Sequence, residues 1–534
     1  MGSRLRPHDS AWPYPSRRMP VLAKNVVATS QPLAAQAGLR TLQEGGNAVD
    51  AALAAAIALT VVEPSSNGIG GDAFALVWDG QRLHGLNASG RSPKRLDAER
   101  IAANGAMPRL GWDSVTVPGA VSAWVALARR FGRLPLARLI QPAARYARDG
   151  FLVGPMTAQA WERAVSTYAG MDDFAAAFLP AGRAPAAGEL FRFPDQADTL
   201  EAIAATDGEA FYRGALARRM VEHAAASGAA LREDDLAEHA PEWVEPLRQD
   251  YRGVELVELP PNGQGLIALI ALGILAHHDV ASLPPDSAAA THLQVEALKL
   301  AFADGRRYLA DPSAMRVGPE RLLDPDYLAA RARLVDPERA SRADWGRPER
   351  GGTVYVTAAD EDGRVVSLIQ SNYMGFGSGV VVPGTGISLQ NRGMGFDVAS
   401  GHPNRVAGGK RPFHTIIPAF LMEDGLPRAA FGVIGGHVQA QVHVQLTVRL
   451  RDHGQNPQAA IDAPRWHLTE RNDIAVEREM APEVIDELAR LGHRIVRDDP
   501  TAPRFFGGAQ MAMRIREGWL AASDGRREGQ AAGY

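Results

Sequence analysis

The sequence contains no cysteine. Disulfides, a thiolate nucleophile, cysteine-ligated zinc and cysteine-held iron–sulfur clusters are therefore excluded, while the compartment is left open. Lysine is scarce: among 57 basic residues only Lys24, Lys94, Lys299 and Lys410 are lysines. With the abundance of alanine, this arginine bias reads as genomic base composition rather than function. An excess of one charge sign is also missing, since 57 basic residues face 61 acidic ones for a net charge of −4. That balance leaves no electrostatic footprint for nucleic acid or an anionic membrane. Long hydrophobic runs are absent too. Ala51–Val62 and Leu266–Leu275 fall short of the ~18–20 residues that cross a bilayer. The stretch Met1–Pro20 is polar and mixed, without the apolar core of a signal peptide, and Arg6 breaks the myristoylation pattern. A cytoplasmic location is the expectation.

What is present is an ordinary globular composition: 534 residues, 46% hydrophobic and 22% charged. Length alone suggests roughly 3–4 domains of ~150 residues, although large α/β enzymes often form a single unit. Val26–Thr29 reads as a strand, and Ser30 is placed to cap a helix over Gln31–Gln43. Ala48–Val62 is apolar around most of its circumference and predicts a buried helix. A small-residue loop, Glu63 to Asp72, precedes a hairpin of Ala73–Trp78 and Leu83–Asn87. Leu110–Arg342 is helix-rich, interrupted by a strand at Gly253–Leu259 and the turn Pro260-Pro261-Asn262-Gly263. Asp344–Gly352 is charged, carries Pro and Gly, and reads as an exposed loop. Strands then dominate: Val354–Ala359 with Val365–Gln370, then Ile416–Met422 with Ala429–Ile434, each pair turning at an Asp-Gly, followed by a helix at Ala440–Asp452. Hairpins with many helices imply a layered α/β fold containing an antiparallel sheet.

The usual catalytic signatures are missing. There is no GxxxxGK[ST], HExxH, GxSxG or EF-hand pattern, and the glycines at 375–379 and 384–386 lack the strand–helix context of a dinucleotide site. Gly70-Gly71-Asp72 and Gly435-Gly436 are candidate anion or oxyanion sites, because glycine lets backbone N–H groups approach a ligand. His414 and His437 flank small residues and are candidate site histidines. Thr353 is the unusual position, lying between Gly351-Gly352 and a strand. A threonine at a chain start is a nucleophile whose own α-amine serves as base. An internal threonine reaches that state by attacking the preceding carbonyl, giving an ester that water cleaves, and a preceding glycine lowers the steric cost. The competing reading is a β-branched residue that merely begins a strand.

The wider pattern resembles the γ-glutamyltranspeptidase (glutathione hydrolase) family over nearly the whole chain. The stretch VVATSQPLAAQAGLRTLQEGGNAVDAALAAAIALTVVEPSSNGIGGDAF resembles that family's opening segment. GGTVYVTAADEDGRVVSLIQSNYMGFGSGVVVPGTGISLQN resembles the start of its small subunit, and KRPFHTIIPAF with FGVIGGHVQAQVHVQ its oxyanion region. WPYPSRR, GRSP and SNYMGFGSGVVVPGTGISLQNRG are similar to the bacterial glutathione hydrolase-like branch. The resemblance implies an N-terminal-nucleophile hydrolase, a four-layer αββα sandwich made as one proenzyme. Autocleavage between Gly352 and Thr353 would leave a large subunit (1–352) and a small one (353–534), paired as a heterodimer in one folded unit. Thr353 would attack an amide carbonyl and form an acyl-enzyme, released by water or an amine acceptor. Ser371 matches the family's hydroxyl partner of the nucleophile, and the N–H groups of Gly435 and Gly436 its oxyanion hole. No metal or organic cofactor is implied.

The substrate-binding positions depart from the family. The arginine that holds the glutamyl α-carboxylate has its nearest counterpart in Arg91, two residues away, with Ser89 at the family's position. His414-Thr415 replaces a Ser-Ser pair, and the asparagine after Ser371 aligns with Tyr373, with Asn372 one place earlier. Arg392 and Gly395 stand where the family's Gln and Asp bind an α-ammonium. An arginine there repels an ammonium and favours a carboxylate. The segment from Phe396 to Lys410 is short, so a closing lid is expected to be missing. Cleavage of γ-glutamyl amides such as glutathione is the family default. A glutaryl- or dicarboxyl-amide acylase, like the cephalosporin acylases, is the alternative within the same chemistry. An uncleaved binding protein is the alternative from another class.

Overall fold

The structure is a computed structural model that describes residues 18–341, 352–469, 471–498 and 506–534. Most of the loop expected at Asp344–Gly352 lies outside the described residues, which resume at Gly352 as the first residue of a strand. Two seven-stranded antiparallel sheets form the centre. One runs, edge to edge, Gln530–Gly533, Val26–Thr29, Gly352–Ala359, Val365–Tyr373, Asp72–Trp78, Leu83–Asn87, Glu242–Val244. The other runs Val21–Ala23, Gly518–Ser523, Gly508–Ile515, Leu426–Ile434, Pro418–Glu423, Val254–Glu258, Leu247–Tyr251. Both sheets interleave strands from before and after Gly352, so that position does not separate two structural units.

Period-two alternation assigns the layers. Along Gly352–Ala359, Tyr355 and Ala359 join Phe74, Ile369, Phe420 and Ala430 in the layer between the sheets. Val354, Val356 and Ala358 face the other way, into a cluster with the helices Ala48–Val62, Ala120–Phe131 and Leu136–Asp149. On the far side, Phe431, Val433 and Met511 pack under Gly265–Leu275, Ala288–Tyr308 and Val438–Arg451. The result is the αββα order expected. Close sheet contact depends on Gly432, where a Cβ would lie 2.3 Å from the Tyr355 ring.

Every residue of Ala48–Val62 is buried. Its alanines let neighbouring layers approach from all sides, and a capping box closes its N-terminus: the Asn47 side chain accepts from Val49 and Asp50 amides, and Asp50 accepts from the Asn47 amide. The preceding helix, Pro32–Gln43, is capped by Gln31 rather than Ser30. The Ser30 hydroxyl instead donates to buried Glu63 at 2.6 Å. No described helix is long and apolar enough to cross a membrane.

Candidate active site

The register between Gly352–Ala359 and Val365–Tyr373 breaks at the expected nucleophile. Gly352 pairs with Tyr373 and Val354 with Gln370, so Ser371 and Asn372 together oppose Thr353. Such a bulge re-aims side chains, and here it brings two hydroxyls together. Thr353 Oγ1 lies 3.1 Å from Ser371 Oγ and 2.8 Å from the Gly352 carbonyl oxygen. Ser371 Oγ donates to that carbonyl at 2.6 Å and accepts from the Tyr373 amide at 2.7 Å. The carbonyl before Thr353 is thus polarised by one hydroxyl and approached by the other. Gly352 has no room for a side chain, since a Cβ would lie 2.9 Å from the Gly375 amide nitrogen and 3.2 Å from the Ser65 carbonyl oxygen.

Gly435 and Gly436 follow the strand Leu426–Ile434 with φ of 129° and 60°, conformations that glycine adopts freely. Their amides donate to no acceptor among the described residues. Gln264 fixes this peptide, its Nε2 donating to the carbonyls of Gly436 at 2.8 Å and Thr415 at 2.6 Å. Sequence reasoning missed Gln264; the only signal was the turn that precedes its helix. Unpaired N–H groups on a pinned backbone fit the oxyanion role expected of both glycines.

Arg392 is wholly buried. Its guanidinium lies 4.3 Å above the ring of Tyr373, the strand partner of Gly352. Nη1 donates to Thr415 Oγ1 at 2.9 Å, while Nε and Nη2 have no hydrogen-bond partner. Asp72 Oδ2 is 3.8 Å from Nε. Burial draws the guanidinium down to about 10, opposed by Asp72, and pushes the Asp72 carboxyl up to about 7 against the pull of Arg392. His414 Nε2 lies 3.0 Å from Asp72 Oδ2, and its Nδ1 accepts from the Ile416 amide. The imidazole is therefore the neutral Nε2–H tautomer donating to Asp72, and burial with nearby Arg392 holds its pKa well below the usual histidine value. His437 packs flat on Phe413, centroids 5.5 Å apart, and is pushed down to about 4 by burial and by Arg392.

Other expected site residues lie elsewhere. Arg91 is exposed and paired with Asp311 at 2.9 Å and Glu242 at 3.8 Å, so both carboxylates compete for the charge that a substrate would need. Ser89 is buried in bonds to Asn87 and Asn262. Asn372 turns from the nucleophile, because the two-against-one bulge sends neighbouring side chains opposite ways; its Nδ2 reaches Ser388 and its amide packs on Gly68 and Gly71. Gly70-Gly71 is packed as a turn: the Gly71 amide donates to the Gly68 carbonyl at 3.1 Å, and a Cβ at Gly70 would sit 2.4 Å from the Ser388 carbonyl oxygen. Gly395 is sealed by backbone, with a Cβ there falling 2.2 Å from the Phe413 carbonyl oxygen. The segment after Phe396 packs through Phe396 and Val406 onto Leu96 and Ile101. Arg411, buried and with its charge opposing the rise of the Asp72 carboxyl, was not singled out from sequence.

The family model of γ-glutamyltranspeptidase matches residues 34–534. The chain belongs to the γ-glutamyltranspeptidase family. It is 38% identical over 526 residues to the glutathione hydrolase-like YwrD proenzyme of Bacillus subtilis (96% of this chain, 98% of the relative). It is 37% identical to the oxamate amidohydrolase proenzyme of Klebsiella pneumoniae (94% and 97% covered). Among solved structures, cephalosporin acylase from Bacillus halodurans superposes with a TM-score of 0.92 at 47% identity, covering 98% of each chain. This γ-glutamyltranspeptidase-family chain is thus an enzyme of the N-terminal-nucleophile hydrolase type, with relatives made as proenzymes.

Proposed function

We propose that the chain cuts itself between Gly352 and Thr353 and then hydrolyses amides whose acyl group carries a carboxylate held by Arg392. The observation that carries the substrate reading is the wholly buried guanidinium, ion-paired with Asp72 at 3.8 Å but with two nitrogens that make no hydrogen bond, lying over the ring of Tyr373, the strand partner of Gly352. A buried cation with unmet donors is costly, and a bidentate carboxylate satisfies it. The sealed position at Gly395 supports the same reading, because no acidic side chain fits there to bind an ammonium. Relatives named as an oxamate amidohydrolase and a cephalosporin acylase are consistent with an acidic acyl group.

In the first reaction Thr353 Oγ1 attacks the Gly352 carbonyl carbon, with Ser371 hydrogen-bonded to the developing oxyanion. The Gly352–Thr353 C–N bond breaks, the nitrogen takes the hydroxyl proton, and water hydrolyses the resulting ester. The freed α-amine then acts as base for Thr353. In turnover, Oγ1 attacks the substrate amide, the Gly435 and Gly436 amides hold the oxyanion, and the amine leaves with a proton. Water, or an amine acceptor, releases the acyl group. The test compares glutaryl- and γ-glutamyl-p-nitroanilide on the wild type and on Arg392→Gln. A glutaryl preference that Arg392→Gln abolishes is expected. A γ-glutamyl preference that this substitution leaves unchanged rejects the anionic-acyl reading.

A further inference from the structure

Asp72 begins the strand Asp72–Trp78 and stands opposite Ser371 in the register of the sheet, which places it at the candidate site. Its side chain is wholly buried, as are those of Arg392 and His414. Oδ2 lies 3.8 Å from Arg392 Nε and 3.0 Å from His414 Nε2, while Oδ1 has no partner in hydrogen-bonding geometry. Carboxylate and guanidinium therefore neutralise each other across a gap too wide for a hydrogen bond. A second carboxylate brought to Arg392 would set two negative charges against one buried cation. Such a trio does not stay fully ionised, because like charges in a desolvated site force one carboxyl to hold a proton.

We propose that Asp72 is the specificity-determining partner of Arg392: it balances the guanidinium in the empty site and takes up a proton from solvent when a substrate's acyl carboxylate replaces it. The site then binds the anion of an acid together with one proton. This inference rests on the carboxylate-binding role proposed above for Arg392. The neighbouring groups do not compete for the proton. His414 Nδ1 already accepts from the Ile416 amide, and burial with Arg392 and Arg411 keeps this ring neutral. Burial, with Arg392, holds His437 down at about 4, and burial, with Arg411 and Arg91, holds His239 at about 3. The Tyr212 hydroxyl, raised by burial, keeps its proton and donates it to the Pro118 carbonyl at 2.9 Å. Arg411 is paired with Glu242 at 2.7 Å, and the Tyr373 ring lies 4.3 Å from the Arg392 guanidinium. Burial pushes the Asp72 carboxyl up to about 7, opposed by Arg392, the amides of Gly90 and Gly119, and Arg411, so it titrates close to neutrality. The Thr353 α-amine freed by cleavage titrates in a similar range, and a variant separates the two.

The test is calorimetric titration of the cleaved enzyme with pentanoate, the glutaryl chain with a methyl in place of the reacting carbonyl. Two buffers of different ionisation enthalpy count the protons taken up at pH 8, and dissociation constants between pH 6 and pH 9 give the linkage. Asp72→Asn, with Asp72→Ser as a second carboxylate-free variant, and Arg392→Gln are titrated alongside. The wild type should take up more than half a proton per pentanoate at pH 8, and its affinity should fall about tenfold per pH unit above 7. The Asp72 variants should still bind pentanoate, with neither uptake nor pH slope. Pentanoate bound without proton uptake, or uptake undiminished in the Asp72 variants, which assigns the proton to the Thr353 amine, would overturn the inference. No binding by the wild type, or wild-type affinity in Arg392→Gln, rejects instead the carboxylate-binding reading on which it rests.

Discussion

Replacing Arg392 by glutamine is the most informative single perturbation. Glutamine can still reach Thr415 Oγ1, so the change removes the charge and the two unpaired donors more than the local packing. A hydrogen bond to a charged group is worth about 2 kcal/mol, which corresponds to roughly 30-fold in kcat/KM for an acyl group bearing a carboxylate. An anchor remote from the reacting carbonyl binds ground state and transition state alike, so the loss belongs mainly in KM. A neutral acyl amide of equal length has no carboxylate to lose and should change less than threefold. Loss of Arg392 also removes the cation that opposes burial at Asp72, so that carboxyl shifts further above its present value of about 7. Initial rates on glutaryl-, γ-glutamyl- and pentanoyl-p-nitroanilide measure these changes. An equal drop for charged and neutral acyl groups would refute the reasoning, since it would place Arg392 in structural support rather than substrate recognition.

Ser371→Ala removes the hydroxyl that contacts the Gly352 carbonyl at 2.6 Å. It should slow fragment formation by about 100-fold, in line with loss of one oxyanion donor; unchanged maturation on electrophoresis would contradict this role. Gly352→Ala puts a Cβ 2.9 Å from the Gly375 amide nitrogen and should leave the chain uncut although folded, a result that full processing would reverse. Gly395→Asp, which restores the family's residue, should fail to create γ-glutamyl activity and should cost about 2 kcal/mol or more, because its Cβ meets the Phe413 carbonyl at 2.2 Å; gain of that activity at normal stability would show the backbone seal to be wrong. Burial pushes His239 and His493 down to about 3 and His437 to about 4. The unfolded chain therefore binds more protons between about 4 and the ordinary histidine value of 6.5, and stability present above that value is lost as pH falls through the window. Asp72, raised to about 7, and the carboxyls of Asp50, Glu63, Glu258, Asp304, Asp360 and Asp452, raised by burial, act in the opposite direction, so the histidine contribution is read by removing one histidine. On acidification from pH 7.5 to pH 5 the urea midpoint of His493→Asn should fall less, or rise more, than that of the wild type; identical shifts in the two proteins exclude this role for His493.

The sequence by itself points to a layered fold and to a candidate nucleophile. Alternating apolar strands and a mostly apolar, alanine-rich helix can satisfy their surfaces in few arrangements, and Ala48–Val62 and Leu83–Asn87 fall within the bounds read from the sequence. Gly352-Thr353, Ser371 and Gly435-Gly436 are picked out through the resemblance of the segments around them to the γ-glutamyltranspeptidase family; on local sequence alone Thr353 reads as a residue that merely begins a strand. Only the tertiary structure decided the surroundings of the two candidate arginines. Arg91 and Arg392 are equal candidates in one dimension, but their neighbours come from distant segments. Asp311 and Glu242 occupy the first, while Tyr373, Thr415 and Asp72 bury the second with donors unpaired. Whether a charge is free depends on partners hundreds of residues away, and whether a glycine is an open subsite depends on the backbone against it, as Phe413 shows at Gly395. The absence of cysteine left threonine chemistry open; the fold supplied the bulge that brings Thr353 and Ser371 within 3.1 Å.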